Sequence, residues 1–351
     1  MKHPIRVSML IHPLVLLCAS SGAHAQSSVS LYGIADAGIR YATNANAGKD
    51  RKFELSEGAL TGSRFGLRGE ENLGGSLLTF FQLEGGFDLG TGASLQSSAS
   101  TGYAQTGTGT GGSGRLFGRQ AFVGIKSEYG AISFGRQYSV GYQSMAGAQI
   151  FGNPNLDTLI IVSKYTGSRQ DNAVKYEGKF GGFSAAADYA FGEITGNTSA
   201  NSAAGVALGY MAGGISVGLN YTTAHSADGR EARRTVGIAG GYAIGPFKAT
   251  LGYLGNRYKT AETRNDVFIG GLSYTPVAAW LFGVGAFRDK QRDPGGSRAT
   301  IYGMIDYRLS KRTNVYLETD YNRITGRYEL IKSQGVPGGK FGAMLGLRHL
   351  F

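Results

Sequence analysis

From Val29 to Tyr41 the chain alternates: Val29, Leu31, Gly33, Ala35, Ala37, Ile39 and Tyr41 fall on one face, and Ser30, Tyr32, Asp36 and Arg40 on the other. The same period of two recurs in Leu77, Thr79, Phe81, Leu83 and Phe87 against Gln82, Glu84 and Asp88, and in Val315, Leu317, Thr319 and Tyr321 against Asn314, Glu318 and Asp320. Successive side chains of an extended strand point to opposite faces, so each run predicts a strand with one apolar and one hydrophilic side. About sixteen such segments are countable, beginning near Val29, Ser63, Leu77, Phe117, Ala131, Ala173, Phe183, Ala204, Ile215, Arg233, Phe247, Asp266, Trp280, Thr300, Asn314 and Lys340.

The connections between them alternate in length. Tight ones run 71–75, 127–130, 178–182, 212–214, 243–246, 275–278 and 310–313; long ones include 43–60, 89–115, 138–168, 288–298 and 323–339. Short turns at one end and long loops at the other mark an up-and-down barrel of the outer-membrane kind, whereas a soluble sandwich has no reason to segregate them. A strand tilted across a roughly 25 Å apolar band needs about ten residues, the length of these segments. Closing the sheet satisfies every backbone group in lipid. Aromatics such as Tyr41, Phe87, Tyr221, Tyr253, Tyr274, Trp280 and Tyr321 sit at segment ends, where interfacial girdles would fall; ordinary sheet packing is the alternative account. The expectation is an all-β, 16-stranded antiparallel transmembrane barrel.

Composition agrees. Gly 58 among 351 residues disfavours a helix bundle, and the glycines, interleaved with Tyr 20 and Phe 18, follow no collagen period. No stretch beyond the N-terminus holds the roughly 18 apolar residues of a spanning helix. The N-terminus itself reads as a signal peptide over residues 1–25: Lys2 and Arg6, an apolar core from Val7 to Leu17, then Ala23-His24-Ala25 before a mature start at Gln26. Lipidation at Cys18 is the alternative, disfavoured by bulky Leu17. Cleavage removes the only cysteine, so the barrel domain, residues 26–351, holds no disulfide.

The 35 basic residues less Lys2 and Arg6 leave 33 against 24 acidic ones, a mature charge of +9. On an exported chain that excess points to anionic solutes or phosphate-rich surfaces rather than nucleic acid. Catalytic material is scarce: the mature chain keeps only His225, in a polar loop beside Ser226 and Asp228, and His349, with no cysteine. No catalytic site, metal site or cofactor is expected.

The chain ends Lys340-Phe-Gly-Ala-Met-Leu-Gly-Leu-Arg-His-Leu-Phe351, an alternating strand closed by an aromatic. With the motifs Ser-Leu-Tyr-Gly-Ile-Ala-Asp (30–36), Ser63-Arg-Phe-Gly-Leu-Arg-Gly-Glu-Glu-Asn-Leu-Gly74, Phe81-Gln-Leu-Glu-Gly-Gly-Phe87, Phe117-Gly-Arg-Gln-Ala-Phe-Val-Gly124 and Phe134-Gly-Arg-Gln-Tyr138, it resembles the general trimeric porins of Gram-negative outer membranes, of the β-proteobacterial type. The resemblance spans the mature chain. It implies a passive channel for small hydrophilic solutes and ions, a homotrimer, surroundings of outer-membrane lipid and lipopolysaccharide, and insertion by the barrel assembly machinery with Phe351 as its signal. It also implies that the third loop, residues 138–168, folds into the lumen as a constriction, and that the Gly/Ser/Thr run 90–114 is the second loop, which can latch a neighbouring subunit. A substrate-specific channel and a structural or adhesive barrel are the alternatives.

Strand parity turns Arg64 and Arg68 to the lumen, since Phe65 and Leu67 take the lipid side, and places Arg119 on the face of Ala121, opposite Phe122. Arg169 stands where the third loop re-enters the wall. Arg64, Arg119 and Arg169 resemble the arginine ladder of such porins and Glu84 its counter-ion, while Asp157 is the only acid in the third loop. A moderate preference for anions is expected. The other reading of the arginines is that they brace the wall by pairing with inward acids: Asp36, Glu84, Asp88, Asp188, Asp306, Glu318 and Asp320. Leu159-Ile-Ile-Val162 either packs the loop against the wall or forms a short extra strand.

Overall fold

The first and last strands of the chain lie side by side. In the computed structural model, which describes residues 28–95, 114–148, 158–259, 262–328 and 336–351, β1 (Ser28–Ala42) pairs antiparallel with β18 (Gly338–Leu350), from Ile34 opposite Leu350 to Ala42 opposite Gly342. The wall then runs β3 (Arg64–Gly74), β4 (Leu77–Phe87), β6 (Gln120–Ser127), β7 (Gly130–Tyr138), β8 (Arg169–Phe180), β9 (Phe183–Ala190), β10 (Ala203–Ala212) and β11 (Ile215–His225). It continues through β12 (Glu231–Ile244), β13 (Phe247–Tyr258), β14 (Arg264–Tyr274), β15 (Trp280–Gln291), β16 (Gly296–Arg308) and β17 (Thr313–Gly326). Each strand pairs antiparallel with its neighbours, closing a barrel of sixteen wall strands.

Two shorter segments complete the sheet. β2 (Lys52–Glu57) pairs with the upper half of β1 and, with β3 on the lower half, makes one interrupted wall strand; β5 (Ser94–Leu95) adds a two-residue ladder to β4. At the interruption the chain turns inward: Ala59 and Leu60 are buried in the lumen with Tyr302, Met304, Tyr316 and Met344. Two glycines make room for these rings. Tyr302 lies over Gly285 and Tyr316 over Gly346, where a Cβ would come within 2.3 Å and 2.2 Å of ring carbon.

The outward positions are apolar and exposed, including Val29, Leu31, Val206, Leu208, Leu251, Leu272, Ile301 and Leu345. Burying them in acyl chains is the hydrophobic gain that a soluble fold would obtain from a core. No helix among the described residues is long and apolar enough to span a bilayer.

Two expectations change. Residues 288–298 do not form a long loop: β15 continues to Gln291 and β16 begins at Gly296, so the hairpin projects past the point where its apolar pattern fades. Phe122 faces the lumen rather than lipid, because it sits opposite inward Gln82 and its ring lies 6.0 Å from that of Phe80. The signal peptide and residues 96–113 of the second loop, which carry most of its expected latch, lie outside the described residues.

Candidate pore constriction

The third loop is folded into the barrel. It contains α1 (Val140–Met145), a short 3-10 turn (Ala146–Ala148) and α2 (Thr158–Thr166), so Leu159–Val162 is helical and not an extra strand. Tyr142, Met145, Val162 and Tyr165 pack against the inward side chains Leu254, Val267, Ile269 and Phe287. An apolar patch inside a water-filled barrel is otherwise unfavourable, so the loop and this stretch of wall cover one another.

Polar contacts fix its position. Ser139 caps α1 by accepting from the Tyr142 amide, and the Asp188 carboxylate accepts from the Val140 amide at 2.7 Å. At the other end Arg233 donates to the Lys164 carbonyl at 3.1 Å and Thr235 to that of Tyr165 at 2.6 Å, satisfying carbonyls that the helix end leaves free. The Tyr165 hydroxyl donates to Asp289, which also accepts from Tyr328 at 2.6 Å and from Asn265 at 2.9 Å. One carboxylate on β15 thus ties down both the third loop and the chain that follows β17.

Where the loop leaves the wall, three of the expected arginines meet. The Tyr138 hydroxyl oxygen accepts from Arg119 Nη2 at 2.7 Å and from Arg169 Nη2 at 2.8 Å, and the Arg169 guanidinium lies 4.5 Å above the same ring. Tyr142 stacks on Tyr138 at 5.3 Å. Arg119 Nε donates to Glu84 Oε1 at 2.7 Å, and Glu84 Oε2 accepts from the Tyr32 hydroxyl at 2.9 Å. Arg64 donates to the Gly62 carbonyl at 3.0 Å and, like Arg169, lies within electrostatic reach of Arg119. Arg64 and Arg169 make no direct ion pair among the described residues, but Glu84 lies within electrostatic reach of Arg64, and Glu57, partly buried on β2, within reach of both Arg64 and Arg119. Arg68 sits apart from this group, exposed, with its guanidinium 5.2 Å over Tyr32. Burial pushes the Tyr142 hydroxyl up to about 12, so both stacked rings face the arginines without a phenolate at Tyr142.

Arg119 arrives by a different route from the one its sequence suggests. It precedes β6, outside the alternating run, and the side chain reaches the lumen from a turn whose amide bonds to the Glu84 carbonyl. Strand parity does not govern it. Tyr142 carries no sequence signal that separates it from the other tyrosines, and the motif that ends on Tyr138 does not mark that residue as the acceptor of two arginines. Asp157 lies outside the described residues.

The inward acids are largely occupied elsewhere. Glu318 and Asp320 bind Arg40 at 3.1 Å and 2.5 Å; Asp36 accepts from Tyr316 at 2.7 Å and the Thr61 amide at 2.8 Å; both Asp306 oxygens accept from Asn314 at 2.9 Å. Asp88 binds Thr91 at 3.0 Å and the Gly90 amide at 2.8 Å within its own turn. Wall bracing is therefore real, but it uses Arg40 and neutral donors, leaving three guanidiniums around Tyr138 against two carboxylates, Glu84 paired directly with Arg119 and Glu57 within electrostatic reach of Arg64 and Arg119. Among the described residues no group of three or more His, Cys, Asp or Glu is arranged to hold a metal.

A closed barrel with an inward loop is the frame of a pore, and residues 14–327 match the Gram-negative porin family. The chain belongs to that family. This porin is 29% identical to an outer membrane porin protein of Bordetella pertussis, over 97% of this chain and 99% of the relative. It is 27% identical to outer membrane porin protein 32 of Delftia acidovorans, over 83% of this chain and 73% of that one. Among solved structures, the anion-selective porin from Comamonas acidovorans has the same fold, with a TM-score of 0.77 at 24% identity, covering 93% of this chain and 100% of that one. The porin is a general diffusion channel of the Gram-negative outer membrane.

Proposed function

We propose that this porin prefers anions, and that Arg64, Arg119 and Arg169 set the preference at the constriction formed by residues 138–168, with Glu84 as their partial counter-ion. The carrying observation is the charge balance around Tyr138: three guanidiniums against two carboxylates, Glu84 and Glu57, of which only Glu84 is directly paired, with Arg119. Arginine keeps its charge at any physiological pH and offers several donors to a passing anion. At about 0.15 M salt a charge acts over only about 8 Å, so this narrow zone decides and distant surface charges do not. The anion selectivity of the Comamonas acidovorans porin supports the reading. Arg68, over Tyr32, serves as an approach charge rather than a member of the filter. We also propose that the porin works as a homotrimer, as expected from its sequence, which native mass spectrometry of the extracted protein tests directly.

The deciding measurement is the reversal potential of the reconstituted channel in a potassium chloride gradient. A sign corresponding to chloride permeation, weakening as salt rises, supports the proposal; a cation-selective sign at low salt overturns it.

A further inference from the structure

The barrel carries a second group of cations, on the outside. Arg288 on β15 and Arg323 on β17 face away from the lumen and flank the same residue, Ala299 of β16, so their backbones lie two strand spacings, about 10 Å, apart. Both are exposed, as is Lys290 one step further from the membrane, and none of the three has an ion-pair or hydrogen-bond partner among the described residues. The nearest acid across the ladder, Asp266 opposite Lys290, is already held by Arg292 at 2.7 Å and by the Tyr253 hydroxyl at 2.8 Å.

Below the two arginines the wall is hollowed. A shallow groove of about 560 Å³ opens on the outer face, lined by both arginines and by Gly270, Ala286, Phe268, Ile301 and Tyr321. Gly270, Ala286, Ile301 and Tyr321 form one continuous rung, two residues toward the membrane centre from Arg323. Tyr321 marks the interface, where aromatic rings gather, so the arginines stand at headgroup level and the groove at acyl level.

We propose that this face binds a phosphorylated lipid of the surrounding leaflet, its phosphate between Arg288 and Arg323 and one acyl chain in the groove. Charge complementarity selects the occupant: arginine forks match phosphate oxygens, and two exposed arginines on either side of one intervening strand leave room for a single anion between them. The site is independent of the constriction, because its side chains point away from the lumen.

The test uses the folded porin in detergent, titrated with diphosphoryl lipid A and followed by native mass spectrometry. Wild type is expected to retain the lipid. Arg288→Gln with Arg323→Gln should weaken retention roughly tenfold or more, the least that losing one charge-assisted contact implies. Ala286→Phe, which fills the groove and leaves both charges, should weaken it too, and excess inorganic phosphate should not displace the lipid. Reversal potential should stay at the wild-type value in every variant, which also shows that the barrel has folded. Undiminished retention in the double variant, or displacement by inorganic phosphate alone, overturns the proposal.

Discussion

Arg169 meets Tyr138 twice, donating to its hydroxyl at 2.8 Å while its guanidinium lies 4.5 Å over the ring. Because Arg119 donates to the same hydroxyl, one neutral side chain holds two like charges close together. A carboxylate in that place would cancel their field; a phenol positions them and leaves it intact.

Reversing the charges should reverse the preference. Replacing Arg64, Arg119 and Arg169 together by Glu is expected to move the reversal potential in a salt gradient to the cation side, most at low salt. An unchanged potential would show that these arginines only support the wall.

Asp289 tests the anchoring of the loop. Asp289→Ala removes the acceptor of Tyr165, Tyr328 and Asn265, bonds worth about 0.5–1.5 kcal/mol each and more where one partner is charged. The channel should show frequent brief closures while the barrel keeps its folded electrophoretic mobility. Quiet single-channel records would place the hold on the loop elsewhere.

Alkaline pH should loosen the same loop. Burial raises Tyr142 from its ordinary value near 10 to about 12, so a loop released from the wall gives up the Tyr142 proton earlier than the packed one. The packed arrangement is fully favoured below about pH 10 and loses this contribution as pH rises toward about 12. Tyr142→Phe should make the alkaline change in conductance shallower, though not abolish it, since Tyr165, buried beside Asp289, is raised as well. A titration identical to wild type would exclude Tyr142 from the transition.

The C-terminal Phe351 exchanges both backbone hydrogen bonds with Gly33, at 3.0 Å each, and its ring covers Gly33 on the outer face of the seam. Deleting it should lower the amount of folded porin in the outer membrane, by removing the family's expected assembly signal and the last rung of closure together. Normal levels of the truncated chain in membrane fractions would refute both roles.

The alternation of Val29 to Tyr41 and its repeats was enough to place the strands, their inward and outward faces and the inward turn of Arg64 and Arg68, because the period of two is local and lipid demands it on every strand. Beyond the strand ends that rule stops. Arg119 enters from a turn, and Phe122 faces water because its strand begins one step out of the expected phase. Tertiary structure alone decided which charges stay available. Arg40 and Asp320 lie 280 positions apart in sequence and meet only when β1 closes onto β18, beside β17. The third loop likewise becomes helical and buried only against Leu254, Val267 and Phe287, more than 80 residues downstream. Which guanidinium is neutralised depends on barrel closure, a contact between distant segments, and the short-range pattern that specifies each strand carries no record of it.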